Sequence, residues 1–297
     1  QGRLEFLNGI RSLASLWVML GHIYLFSYGW EPRKGLLCLL NPLLYMHYGV
    51  VIFLVLSGFC LTIARTKSDT RKGWGSYFLA RANRILPAYY AVLITILILN
   101  FFVPIVAWGR LQTGLTQEIP LRVLAANFSL VQDLWPGYNT ISGPFWSIAT
   151  EWHFYFLFPF LIVLLWRYGI LAMIGLGLAV SSVLFYGGYH NWYLFCVFVI
   201  GIASAWLAFS QEAERLRGRL IIAYLPAILI LLTFLYYRGR EYTDFGSKFI
   251  EFFDNSYKTD PIVAIITGIS LVMLSMAKPN SLPRRVLEGP VLSRLSQ

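Results

Sequence analysis

Arg11 and His22 stand eleven positions apart in the first apolar stretch of the chain, RSLASLWVMLGH. An ionisable side chain inside a membrane-spanning helix is costly to place and marks a functional site by default. At about 100° per residue, eleven positions close to within about 20° of whole turns, so both residues lie on one helix face, roughly 16–17 Å apart along the axis. That is too far for contact. Arg11 belongs near a membrane surface, and His22 lies deeper, where neutral imidazole suits the removal of a hydroxyl proton near neutral pH.

Glu151, in GPFWSIATEWHFYFLFP, is the second group. Ser142 or Gly143 ahead of Pro144 reads as a helix start, which sets Glu151 roughly 10 Å below the outer surface. His22 precedes the outer end of its own span, near Tyr28, by a similar distance. The sequence thus predicts one depth for both and allows a histidine–carboxylate pair in which the acid orients the ring and stabilises its protonated form. The plainer role for either residue is a structural hydrogen-bond partner between helices.

The third feature is a basic cluster, Arg65, Lys67, Arg71, Lys72, Arg81 and Arg84. Topological anchoring and attraction to anionic lipid account for most of it. The functional reading is a phosphate-binding surface, which arginine's planar fork suits. Arg81 and Arg84, three residues apart and next to Pro87, are the chosen pair; the stretch SYFLARANRILPAYY predicts a short amphipathic helix leading into the third span. The remaining histidines are His47, His153 and His190, and no pair has the i, i+4 spacing of a metal-binding helix. Cys38, Cys60 and Cys196 are scattered, so no catalytic metal is expected.

The elements that position these groups follow from composition. The 297 residues are 58% hydrophobic and 13% charged, where a soluble domain is nearer half apolar and a quarter charged. The apolar residues fall into eight stretches long enough to cross a bilayer as helices, about 9–28, 47–64, 86–108, 145–166, 169–186, 192–209, 220–237 and 261–277. The predicted fold class is an all-α, polytopic transmembrane helical bundle. With the N-terminus cytoplasmic, the inner segments hold two thirds of the 24 Lys and Arg and few acids, while the outer segments balance. That asymmetry obeys the positive-inside rule, sets both ends of the chain in the cytoplasm and argues against a nucleic-acid partner for the +10 charge. A single membrane domain over 1–297 is expected, with no polar linker and no internal repeat. The long outer connection, about 109–143, carries Pro120, Pro136, Gly137 and Gly143 and reads as functional.

Four segments in order resemble the acyltransferase-3 family of integral membrane acyltransferases. LNGIRSLASLWVMLGH resembles the family's Arg/Lys-x10-His first helix, and GVVIFLVLSGF, Gly49 to Phe59, its second. RANRILPAYY resembles the Arg-rich entry into the third, and GPFWSIATEWHFYFLFP the tryptophan-serine-glutamate helix. The resemblance implies an O-acyltransferase that moves an acyl group, commonly acetyl, from cytoplasmic acyl-coenzyme A to a hydroxyl of an extracytoplasmic glycan, as O-antigen and exopolysaccharide O-acetyltransferases do. It implies His22 as catalytic base with Arg11 as its motif partner, and Glu151 as the polar site of the fourth helix. Arg81 and Arg84, with Arg65 and Lys67 near them in the basic cluster, would serve the coenzyme's phosphates. Trp108 and Trp135 of the outer connection would stack on sugar rings. A bacterial inner (plasma) membrane is the implied location.

Two departures accompany the resemblance. The family commonly has ten spans against the eight read here, and the ending GPVLSRLSQ resembles the stretch before the family's last helix pair, so a C-terminal truncation is expected. His153 stands where members often carry another polar residue. A rival reading from the same residues is a proton-coupled transporter or flippase that uses His22 and Glu151 as a relay; it predicts pH-coupled flux with no thioester consumed.

Overall fold

Runs of about twenty apolar residues satisfy their backbone in a bilayer only by forming helices. The computed structural model describes residues 4–29, 35–67, 73–102, 119–135, 137–210, 215, 256–278 and 280–295. In chain order these give α1 (Phe6–Tyr28), a 3₁₀ stretch (Gly35–Tyr45), α2 (His47–Lys67), α3 (Trp74–Phe102), α4 (Leu121–Phe128), α5 (Phe145–Tyr168) and α6 (Ile170–Tyr186). A second 3₁₀ turn (His190–Tyr193), α7 (Leu194–Ala208), α8 (Ser256–Met276), α9 (Leu282–Leu287) and α10 (Pro290–Leu295) complete it. The described residues contain no strand, and six of their helices are long and apolar enough to cross a membrane. The fold class is all-α and polytopic.

Five predicted spans match α1, α2, α5, α7 and α8 to within a few residues. The stretch 169–186 forms α6, a helix of 17 residues, and 220–237 lies outside the described residues. The third span differs. Its predicted amphipathic lead-in and the span proper are one helix, α3, which starts at Trp74 and runs 29 residues with Pro87 inside it. Ala80, Arg81, Ala82, Arg84 and Leu86 are strong helix formers, so the helix propagates through the polar stretch, and hydropathy alone sees only its apolar part.

The chain forms two compact units, Gln1–Thr66 with Cys196–Gln297, and Lys67–Phe195. In the first, helices approach through small residues, the usual solution where lipid is as apolar as the side chains. A Cβ on Gly21 would lie 2.4 Å from Cβ of Met46, and one on Gly49 would lie 2.5 Å from the Val18 side chain, so α1 sits tightly on the 3₁₀ stretch and α2. The terminal helices close against the start of α1. Ser12 Oγ donates to the Leu292 carbonyl at 2.7 Å, and Arg284, paired with Glu288 at 2.9 Å, lies over the Phe6 ring.

The second unit is built on a core of Tyr89, Leu93, Val123, Leu130, Ile141 and Phe145, which fastens α4 and the segment after it to α3 and α5. Tyr89 donates to the Asn127 carbonyl at 2.8 Å and Tyr90 to that of Phe128 at 2.7 Å. The helix α4 ends in a Schellman arrangement: Val131 N–H donates to Ala126 and Leu130 N–H to Asn127. Leu130 takes the left-handed position with φ 53°, a place usually given to glycine, and its burial in the core holds it there. At the other end of the unit, Gly169 alone turns α5 into α6, with φ 85° and ψ 177°, a conformation open to glycine and strained for other residues.

Candidate active site

His22 projects from α1 one helical turn beyond Val18, whose carbonyl oxygen lies 2.7 Å from His22 Nδ1. A carbonyl only accepts, so neutral His22 carries its proton on Nδ1 and its lone pair on Nε2. Arg11, three turns earlier on α1, donates from Nη2 to Cys60 Sγ on α2 at 3.1 Å. Its role in this unit is to bridge α1 and α2. In the same unit a histidine–carboxylate pair joins His47 Nε2 at the start of α2 to Asp260 Oδ1 on α8 at 3.0 Å, with the Asp260 side chain only 1% exposed. Tyr48 beside it donates to Thr259 Oγ1 at 3.1 Å.

Glu151 belongs to the second unit, on α5, and His22 to the first. Glu151 Oε1 accepts a hydrogen bond of 2.6 Å from Tyr155 one turn along α5. The Tyr155 carbonyl in turn accepts from Tyr77 of α3 at 3.0 Å, and Tyr77 stacks on Phe158. Arg81 stands one turn along α3 from Tyr77. The structure therefore gathers Arg81 and Glu151 around Tyr77, a grouping the sequence reading did not foresee. Arg81 is half-buried, and its Nε is buried with no hydrogen-bond acceptor among the described residues; Arg84 is exposed. Arg65 is half-buried near the C-terminal end of α2, and Lys67 is its last residue.

A second histidine–carboxylate pair lies in this unit, where sequence reasoning left both residues without a role. His153 Nδ1 is 3.3 Å from Asp133 Oδ2, with side-chain exposures of 16% and 0%. Thr150 donates to the same oxygen at 2.9 Å, and the His153 ring stacks on Trp192 at 6.0 Å. Beside this group opens a cleft of about 290 Å³, lined by Gln132, Asp133, Trp135, Asn139, Trp146 and Asn191 among others. No group of three or more His, Cys, Asp or Glu among the described residues is placed to hold a metal ion.

The first unit thus holds a half-buried imidazole of defined tautomer, and the second holds an arginine whose Nε lacks an acceptor near a carboxylic side chain. The comparison with known families decides the class. The family model of the acyltransferase-3 acyltransferase domain matches residues 4–297. The chain belongs to the acyltransferase-3 family. This acyltransferase matches no curated protein and no solved structure. The family match spans every element from α1 to α10 and runs across both compact units. Six long apolar helices among the described residues make it an integral membrane protein.

Proposed function

We propose that the acyltransferase moves an acyl group, acetyl by preference, from cytoplasmic acyl-coenzyme A to a hydroxyl of an extracytoplasmic glycan, with His22 as general base. The observation that carries the reading is the bond from His22 Nδ1 to the Val18 carbonyl. It fixes the tautomer in which Nε2 holds the lone pair, the form a base needs before it takes a proton. The acceptor O–H gives its proton to Nε2 as its oxygen attacks the thioester carbonyl. The C–S bond breaks, the new C–O ester bond forms, and the proton passes to the leaving thiolate, so that free coenzyme A and an ester result. Arg81 and Arg84 would hold the donor's phosphates from the cytoplasmic side, with Arg65 and Lys67 as further cations near its entry. The buried, acceptor-less Nε of Arg81 supports that part of the reading. Arg11 anchors the helix that carries the base, and Glu151 would serve as a further polar residue of the reaction. The same reading takes the protein as one membrane domain with both ends of this chain cytoplasmic, in a bacterial inner membrane.

The test uses the protein in membranes or detergent with radiolabelled acetyl-coenzyme A and cell-envelope glycan, following label in the glycan and free thiol together. Label that disappears in His22→Ala supports the transferase and its base. Transfer that survives the substitution keeps the transferase and removes His22 as base. Absence of thiol release together with pH-coupled substrate flux would replace the reading by a transporter.

A further inference from the structure

The walls of the cleft beside Asp133 contain hydrogen-bond acceptors that no donor among the described residues satisfies. Gln132 Nε2 donates to the Phe145 carbonyl and the Tyr89 hydroxyl. The carbonyl can only accept, so the amide orientation is fixed and Gln132 Oε1 faces away from its partners. Asn139 Nδ2 donates to the Gly143 carbonyl at 3.0 Å, which fixes Asn139 Oδ1 in the same manner. Asp133 Oδ2 is held by Thr150 and lies against His153. Gln132 Oε1, Asp133 Oδ1 and Asn139 Oδ1 are all buried and lack partners. Gln132 and the Asp133 side chain are fully buried, and a buried unpaired acceptor is costly. Three of them on residues that line one cleft favour a ligand rich in O–H or N–H donors.

The remaining walls narrow the choice. Trp135, half exposed, and Trp146 flank the acceptors. Two flat apolar faces beside clustered acceptors suit a ring whose edge carries hydroxyls and whose faces carry C–H groups. A bare cation would fit the acceptors and leave the tryptophans without a role. The polypeptide holds the site rigidly: Leu130 fixes the turn into Gln132, and Tyr89 fastens Gln132 to the core.

We propose that this cleft binds a single pyranose ring, with Asp133, Gln132 and Asn139 accepting its hydroxyl protons and Trp135 and Trp146 packing on its faces. Asp133 is a binding residue, and Thr150 and His153 are positioning residues that hold its second oxygen. The proposal deepens the glycan-acceptor reading and rests on it for what becomes of the ring after binding; ring binding itself requires no acyl donor.

The experiment measures saturation-transfer difference NMR on the full chain in detergent with the methyl glycosides of glucose, galactose, rhamnose and N-acetylglucosamine, without acyl-coenzyme A. At least one glycoside is expected to bind, and Trp135→Ala and Asn139→Ala are expected to weaken it by tenfold or more while size-exclusion elution and thermal midpoint stay near wild type. Failure of all four glycosides to bind folded wild type overturns the proposal, as does binding indifferent to both substitutions. Asp133-dependent binding of Ca²⁺ in place of any glycoside would make the cleft a cation site and overturn it too. Thiol release and transfer undisturbed by Trp135→Ala and Asn139→Ala would remove the cleft and leave the transferase standing. Glycoside binding without any thiol release would do the reverse.

Discussion

Gly58 of α2 and Gly201 of α7 press each other's helices so closely that neither position has room for a side chain. A Cβ on Gly58 would lie 2.3 Å from the Phe198 carbonyl oxygen, and one on Gly201 would lie 2.2 Å from that of Val55. Both obstacles are backbone, which cannot swing aside. Gly58→Ala and Gly201→Ala are each expected to destabilise the protein by about 1–3 kcal/mol, the usual cost of overpacking. Thermal unfolding in detergent checks this, with Gly175→Ala, which meets nothing within 4 Å, as the neutral control.

His22→Ala should lower kcat by about 10²–10⁴-fold, the range general-base catalysis supplies. Coenzyme binding should stay near wild type, because the imidazole is assigned to the acceptor proton and not to the donor. His22→Gln, which retains a polar group at the same place but no base, should be no better. Steady-state kinetics with titrated free thiol separates the two parameters.

Glu151 and Tyr155 should prove coupled. The 2.6 Å bond between them joins a carboxylate to a phenol that is only 2% exposed, and hydrogen bonds to charged groups contribute about 1.5–3 kcal/mol. A double-mutant cycle of Glu151→Gln with Tyr155→Phe is expected to return an interaction energy in that range. Simple additivity would show that the bond contributes nothing.

Arg81→Gln is expected to raise KM for acyl-coenzyme A by about tenfold or more, as the loss of one charge-assisted bond does. Arg81→Lys should recover only part of it, since an ammonium lacks the planar fork. Arg84→Gln should act in the same direction. A KM unchanged in both variants would place the donor's phosphates elsewhere.

His47→Leu removes one partner of the buried Asp260 carboxylate and should cost about 1–3 kcal/mol. His47→Gln, whose amide can still donate to Asp260 Oδ1, should restore much of that. The comparison of thermal midpoints separates a lost hydrogen bond from lost ring packing on Tyr48.

The spans were legible because length and apolarity alone specify a membrane helix: α1, α2 and α5 begin and end within a few residues of where hydropathy puts them. The start of α3 was not legible, because residues 74–85 contribute little hydropathy while the backbone continues helical through them. Arg11, His22 and Glu151 stood out as charges in apolar runs. The Asp133–His153 pair did not, since Asp133 sits in an irregular connection and its partner lies twenty positions away on α5. Only the turn of Leu130 and the Tyr89 core bring that connection back over the helix. A proline- and glycine-rich connection of unusual length was the one available signal, and it named none of these residues. His47 and Asp260, 213 positions apart, left no local trace at all.

The one-residue junction at Gly169 ties the bilayer to the site. With 17 residues, α6 rises only about 25 Å, short of the roughly 30 Å of a typical hydrocarbon core. Joined to α5 by a single residue, α6 has no slack with which to slide toward the far surface. Its free end leads directly to Gly188 and Asn191 at the rim of the cleft. As a span, α6 would oblige the lipid around that end to thin, and the proposed sugar cleft would then answer to acyl-chain length in the surrounding membrane.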